Sequence, residues 1–302
     1  MSRSLKAHIL LVFITFVWGS TFVLVKNALL DCTPQLFNAV RFVVSALVLA
    51  LVFRRHLANL SRETLSAGGL VGLFLCAGYQ FQNAGLSLTT PSKSAFLTGI
   101  SVVLVPVLLA LGWRRKVNRW TLLGVAAALL GLYLLVVPSG ERLTALEKIN
   151  LGDLLTLGCA LAFAFQIILL GRAAQKHAFE QIVVVEIGTC AVLMLLTAPL
   201  LEPMRAAISP TVLWALGITT FLSTVAGFAV QAWAQQFTPP AHTALIFSLE
   251  PVFAWATSYV LAGERLGAKG TAGAAFILAG VVLSEMLGQV RQSETELAEE
   301  VR

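Results

Sequence analysis

Three ionisable residues lie deep inside apolar stretches of this 302-residue chain: Arg41, Glu186 and Glu250. A charge in such surroundings is costly, which makes each a candidate for binding or proton transfer. Glu250 falls near the middle of its stretch and is followed at once by Pro251. Proline has no N–H, so the carbonyl of Phe247 loses its usual helical donor. A carboxylate beside a freed carbonyl suits a proton or a cation; the plainer alternative is a carboxylate that holds a helix kink through a neighbouring helix. Arg41 and Glu186 occupy matching places in two stretches but at different depths. That argues against a direct ion pair and for structural roles, with Arg41 pairing locally or reaching outward along its stem.

Polar and aromatic side chains gather at helical spacing around these charges. Ser94, Thr98 and Ser101 recur at i, i+4 and i+7, which is one helix face. Tyr79, Gln82 and Asn83 share another face, and Trp18 with Thr21 a third. Later in the chain come Phe163 with Gln166, then Gln231, then Phe247 with Glu250, and Trp255 adds a further ring. Polar groups turned to lipid would cost free energy, so these faces are expected to point inward to one cavity. Hydrogen bonding between helices is the competing account of any single residue. Rings mixed with a few hydroxyls and amides suit small organic substrates: amino acids, amphiphilic metabolites or drugs. Trp18, Phe163, Phe247 and Trp255 can stack on a ring or surround a cationic nitrogen.

The same residues weigh against enzyme chemistry. His8, His56, His177 and His242 all fall near the ends of apolar stretches, and neither a Gly-x-Ser-x-Gly nor a His-Glu-x-x-His sequence occurs. Nucleophile–base pairs and metal ligands are therefore missing. Cys32, Cys76, Cys159 and Cys190 have no paired spacing, so neither a disulfide framework nor a metal knuckle follows. No catalytic residue, metal or cofactor is expected.

The elements that must position these residues are membrane spans. The chain is 58% hydrophobic and only 12% charged, against roughly 25% charged in soluble domains. A bilayer-crossing helix needs about 20 apolar residues. Ten runs qualify: 7–25, 34–53, 65–88, 94–112, 119–137, 151–170, 181–200, 211–236, 241–261 and 269–288. The first is read as a retained span rather than a signal peptide. Thirteen lysines and arginines fall in segments on the N-terminal side of the membrane and seven on the other. That bias places both termini in the cytoplasm and accounts for the net charge without any nucleic-acid surface.

The chain is also internally duplicated. Residues 77–134 align with 226–283 at a constant offset of 149, and Gly78/Gly227, Gln82/Gln231, Pro91/Pro240, Gly124/Gly273 and Gly131/Gly280 coincide without a gap. An offset of 145 pairs Trp18 with Phe163, Thr21 with Gln166 and Arg41 with Glu186. Two copies of an odd number of spans enter the membrane from opposite faces, so the repeats are inverted, an arrangement that allows alternating access to a midplane site. The expected architecture is an all-α integral membrane protein of ten transmembrane helices in two inverted five-helix repeats. Residues 1–137 form the first repeat, 138–150 the connecting loop, 151–288 the second repeat, and 289–302 a disordered acidic tail.

These residues resemble those of the drug/metabolite transporter superfamily, specifically the ten-helix EamA-type permeases. The resemblance covers residues 7–288 and rests on Trp18–Phe22 (WGSTF), Arg41, Glu250–Val252 (EPV), Gly263–Arg265 (GER) and the Gly273/Gly280 spacing. It implies a permease of a bacterial inner membrane, commonly a proton-coupled exporter, with a central cavity between the halves. The first half departs from the family pattern, with Ser101–Val102 in place of Glu-Pro and Arg114–Lys116 in place of Gly-Glu-Arg. The expected function is a secondary active exporter of small organic metabolites, with Glu250 as the proton-coupling acid. An uncoupled facilitator or an importer of the same fold is the alternative, and an intramembrane enzyme a distant one. Expected partners are a small-molecule substrate, the lipid bilayer and, in a coupled mechanism, protons; the protein is either a monomer or a homodimer.

Overall fold

A computed structural model describes residues 2–88, 97–112, 114, 117–136, 150–262 and 267–300. Ser94, the connecting segment 138–149 and Gly263–Arg265 lie outside the described residues. Among the described residues the secondary structure is helical, with one isolated β-bridge and no strand. The helices are α1 (Arg3–Ala28), α2 (Pro34–Val52), α3 (Arg62–Leu88), α4 (Ser101–Gly112), α5 (Arg119–Val136), α6 (Leu151–Ala174), α7 (Phe179–Leu201), α8 (Pro210–Ala234), α9 (Pro240–Phe247), α10 (Glu250–Ala262) and α11 (Ala268–Glu300).

Local sequence explains where these helices begin. Asn150 and Asp153 form a reciprocal capping box at the start of α6, each side chain accepting the other's backbone N–H at 2.9 Å. Ser209 caps α8 ahead of Pro210, and Pro34 opens α2. The first turn of α2 has a further cap from across the molecule, where the Glu202 carboxylate accepts the Gln35 N–H. Six helical stretches are long and apolar enough to cross a membrane: Arg3–Thr21, Pro34–Val52, Arg62–Gln82, Leu151–Ala174, Phe179–Leu201 and Pro210–Ala234. Leu97–Gly112, Arg119–Leu134 and Ala268–Ser284 are shorter apolar helices. Large apolar side chains line the outside, among them Leu47, Leu196, Trp214 and Val260, as a lipid-facing surface requires.

Two expected spans differ in detail. The run 241–261 is two helices, α9 and α10, broken at Ser248 and Leu249 just before Pro251. The run 211–236 is continuous but not regular: Thr219–Ala226 is π-helical, with the Gly227 N–H reaching back to Leu222 O. Helix α11 continues to Glu300 over residues read from sequence as a disordered tail; their Glu, Ala and Leu are good helix formers.

The halves pack by exchange. Helix α1 packs on α8 and α10, and its counterpart α6 packs on α3 and α4. Helix α3 packs on α7, and α8 packs on α2. The pairs α2·α7 and α5·α11 each join a helix to its own counterpart. A Cβ on Gly124 would lie 2.6 Å from Gly280 O, and one on Gly131 would lie 2.6 Å from Gly273 O. These two contacts run in opposite directions along α5 and α11. Exchanging Gly124 with Gly273 and Gly131 with Gly280 turns one contact into the other. The relating axis therefore crosses the helices at right angles, and the two repeats are inverted. Close glycine contacts of this kind let membrane helices associate by packing alone.

Candidate functional site

Glu250 stands at the first position of α10, just after the break in the span, with α1 packed closely against its backbone. Gly19 of α1 makes this possible, since a Cβ there would lie 2.6 Å from Glu250 O and 2.9 Å from Ala254 N. One turn further on, Ser20 Oγ and Thr257 Oγ1 are 3.0 Å apart and tie α1 to α10. The Glu250 side chain is only partly buried, and it lies within electrostatic reach of Tyr79 on α3 and Cys159 on α6. Pro251 leaves Phe247 O without a helical donor, as the sequence predicts.

Aromatic rings from both halves surround this point. Trp18 packs against Phe247 and Phe228 at centroid distances of 5.0 and 5.5 Å. Its indole N–H donates to Ser223 O at 2.8 Å. Across the axis, Tyr79 packs edge-on against Phe163 at 5.5 Å and Phe42 at 5.0 Å. A glycine of the opposite half admits each inner ring. A Cβ on Gly227 would meet Trp18 Nε1 at 2.9 Å, and one on Gly78 would collide with the Phe163 ring. Trp18·Gly227 and Phe163·Gly78 are the same contact made twice, once on each side of the axis.

Arg41 is buried, at 6% exposure, and of the two expected alternatives it makes local pairs rather than reaching outward. Its Nε donates to Thr224 Oγ1 at 2.6 Å, and Nη2 donates to Ser223 Oγ at 3.1 Å and Tyr79 Oη at 3.5 Å. The guanidinium also lies over the Tyr79 ring, 5.4 Å from its centroid. Thr224 and Ser223 belong to the π-helical turn of α8, and Tyr79 to α3. Thr224 in turn donates its hydroxyl to Thr219 O at 3.0 Å, and Ser45 bonds both Arg41 O and Thr220 O. Glu186 is fully buried and accepts from Gln166 Nε2 at 2.7 Å. Among the described residues no ion pair joins it to Arg41.

The remaining candidates divide. Gln166 and Gln231 meet, Gln231 Nε2 donating to Gln166 Oε1 at 3.2 Å. Thr21 returns its hydroxyl to Trp18 O at 2.9 Å, and Thr98 Oγ1 lies 4.0 Å from Cys159 Sγ. Gln82 and Ser101 are partly buried on α3 and at the start of α4. For Asn83 the backbone alone is described. Trp255 packs against Tyr259 at 5.8 Å rather than on the central rings. Sequence reasoning did not single out Ser223, Thr224 or Ser45. The signal available was the hydroxyl run Thr219, Thr220, Ser223, Thr224 in an otherwise apolar stretch.

Two inverted repeats of apolar helices that pack aromatic rings and a carboxylate where they meet define a multi-pass membrane protein. The chain belongs to the EamA-like transporter family, whose profile matches residues 5–137 and 150–286. An uncharacterized transporter of Archaeoglobus fulgidus is 31% identical over 283 residues, covering 93% of this chain and 86% of that protein. A probable amino-acid metabolite efflux pump of Salmonella typhimurium is 27% identical over 311 residues, covering 97% of this chain and 98% of the pump. A solved crystal structure matches 95% of this chain and all of its own at a TM-score of 0.77 and 18% identity, which is a likeness of fold.

Proposed function

We propose that the protein is a secondary active exporter of small organic metabolites, amino-acid derivatives among them, coupled to protons by alternating access. The observation that carries this reading is the mirrored pair of contacts Trp18·Gly227 and Phe163·Gly78. Each seats an aromatic ring of one half against the other half, so each can serve as one of two equivalent gates around a site between them. Rocking that parts one pair and keeps the other opens the site to one face at a time. Ten crossings arranged as two repeats of five, joined near 138–150, give this motion its inverted symmetry. Both termini then lie in the cytoplasm of a bacterial inner membrane.

Substrate is held by Trp18, Tyr79, Phe163 and Phe247, with Gln82, Ser94, Thr98, Ser101, Gln166 and Gln231 supplying polar contacts. The efflux-pump relative supports amino-acid metabolites as the substrate class, and an amphiphile with one apolar and one polar end suits a ring-lined site. Glu250 is the coupling acid: a single carboxylate that holds either a proton or a substrate cation, but not both, exchanges one for the other.

The test is uptake by proteoliposomes under an imposed pH gradient, screening amino acids with aromatic and cationic metabolites. Wild type is expected to accumulate a substrate against its gradient and Glu250→Gln only to equilibrate it. Equilibration alone by both proteins, indifferent to the pH gradient, would replace this reading with an uncoupled facilitator.

A further inference from the structure

We propose that Glu186 is a proton-binding site at the end of a buried ladder of amides that runs across α8, α6 and α7. The ladder has four members, all closed off from solvent: Gln235 at 0% exposure, Gln231 at 1%, Gln166 at 3% and Glu186 at 0%. Gln231 Nε2 donates to Gln235 Oε1 at 3.4 Å and to Gln166 Oε1 at 3.2 Å. Gln166 Nε2 donates to Glu186 Oε1 at 2.7 Å, and Gln235 Nε2 donates to Ile167 O at 2.9 Å.

The ladder is short of hydrogens. Glu186 Oε2 and Gln231 Oε1 are both buried, and neither has a donor among the described residues. Leaving such acceptors unmet is costly, most of all on a charged group. A counter-ion would meet the need, but Arg41 on the adjoining α2 is committed elsewhere, donating through Nε and Nη2 to Thr224, Ser223 and Tyr79. The other titratable groups nearby are Cys190 on α7 itself and Cys76 and Tyr79 on α3; α6 and α8 present amides. What completes the site is a hydrogen on Glu186 itself, which removes the charge and turns an acceptor into a donor.

The location gives this proton a role beside that of Glu250, and in that respect the inference rests on the coupled-transport reading. Gln231 lies one turn after Phe228, the ring that packs on Trp18. Parting α8 from α6 breaks the bond between Gln231 and Gln166 and admits water to Glu186. The O–H bond of the acid then breaks, the proton passes to that water, and the carboxylate is left hydrated. In the closed ladder the proton is trapped. Glu250 is partly exposed and Glu186 is sealed, so the two acids exchange protons at different points of the cycle.

Infrared spectroscopy of the full-length protein in lipid nanodiscs at neutral pH tests this without any transport. Wild type is expected to show a carboxylic-acid C=O band that exchanges slowly in D2O. It should persist in Glu250→Gln, vanish in Glu186→Gln, and move in frequency in Gln166→Leu, which keeps the acid and removes its donor. Identical spectra of wild type and Glu186→Gln in the acid region, or a band indifferent to Gln166→Leu, overturn the proposal. A protein that shows the band yet never accumulates substrate under a pH gradient keeps the proton site and loses the coupling reading. One that accumulates substrate without the band does the reverse.

Discussion

Arg41 of α2 donates to Thr224 of α8 at 2.6 Å, and Thr224 is the residue whose own hydroxyl reaches back to Thr219 O. A charged side chain of one half is thus anchored to the π-helical turn of the other. Hydrogen bonds to charged groups contribute about 1.5–3 kcal/mol. Thr224→Val should destabilise the protein by about that much, and Arg41→Lys by at least as much, because an ammonium cannot reproduce the fork of Nε and Nη2. Thermal unfolding followed by a thiol-reactive dye reads this directly, since Cys76, Cys159 and Cys190 are free and buried in the folded state.

Gly227→Ala and Gly78→Ala add one methyl group at mirrored positions. The first meets Trp18 Nε1 at 2.9 Å, while the second meets the Phe163 ring still more closely. Overpacking of this kind costs about 1–3 kcal/mol. Both are expected to lower transport rate, Gly78→Ala the more. Gly188→Ala, where nothing lies within 4 Å, should be neutral or stabilise by up to about 1 kcal/mol through helix propensity. Equal effects at all three positions would remove the case for mirrored gates.

The α5–α11 seam should tolerate nothing larger than glycine. A Cβ at Gly131 would lie 2.6 Å from Gly273 O, and one at Gly280 would lie 2.5 Å from Gly124 O; backbone cannot yield as a side-chain tip can. Gly131→Val and Gly280→Val are expected to abolish the monodisperse peak in size-exclusion chromatography, and a normal elution profile would refute the packing argument.

Cys32 and Ala206 face each other across the isolated bridge, flanked by Thr33 N–H to Arg205 O at 2.9 Å and Ala207 N–H to Asp31 O at 2.7 Å. Opposed residues that do not bond each other lie about 4.5 Å apart at Cα, within disulfide range. Ala206→Cys should therefore cross-link to Cys32 on oxidation. Burial and then the Glu202 carboxylate push the Cys32 thiol up from its ordinary value. Thiolate is the reactive form, so cross-linking should be slow at neutral pH and quicken as pH rises. Mass spectrometry of oxidised and reduced samples gives the yield.

Sequence patterning revealed the symmetry better than it revealed the contacts. The coincidence of Gly78 with Gly227, and of Gly124 and Gly131 with Gly273 and Gly280, is a record of duplicated backbone approach, and each of these glycines meets the opposite half. Gln166, Gln231 and Glu186 were each visible as polar residues in apolar runs. Their union was not, because it depends on how three helices rotate about their own axes. The partners of Arg41 were hidden for another reason: a 3.6-residue period assigns Ser223 and Thr224 to positions that the wider turn of 219–226 rearranges. The break before Glu250 was legible in Pro251 alone.

The unlike surroundings of Arg41 and Glu186 bear on the direction of the cycle. A protein made of two identical halves would hold its two open forms at equal free energy, and neither face would be preferred at rest. Here the same structural position carries a hydroxyl-bound guanidinium in one half and an amide-bound acid in the other. Under the alternating access proposed above, opening to each face would strain a different one of these clusters, and every 1.4 kcal/mol of difference between them would shift the resting population tenfold. On that reading the bias between facing in and facing out is a property of the empty protein, present before substrate or gradient acts upon it.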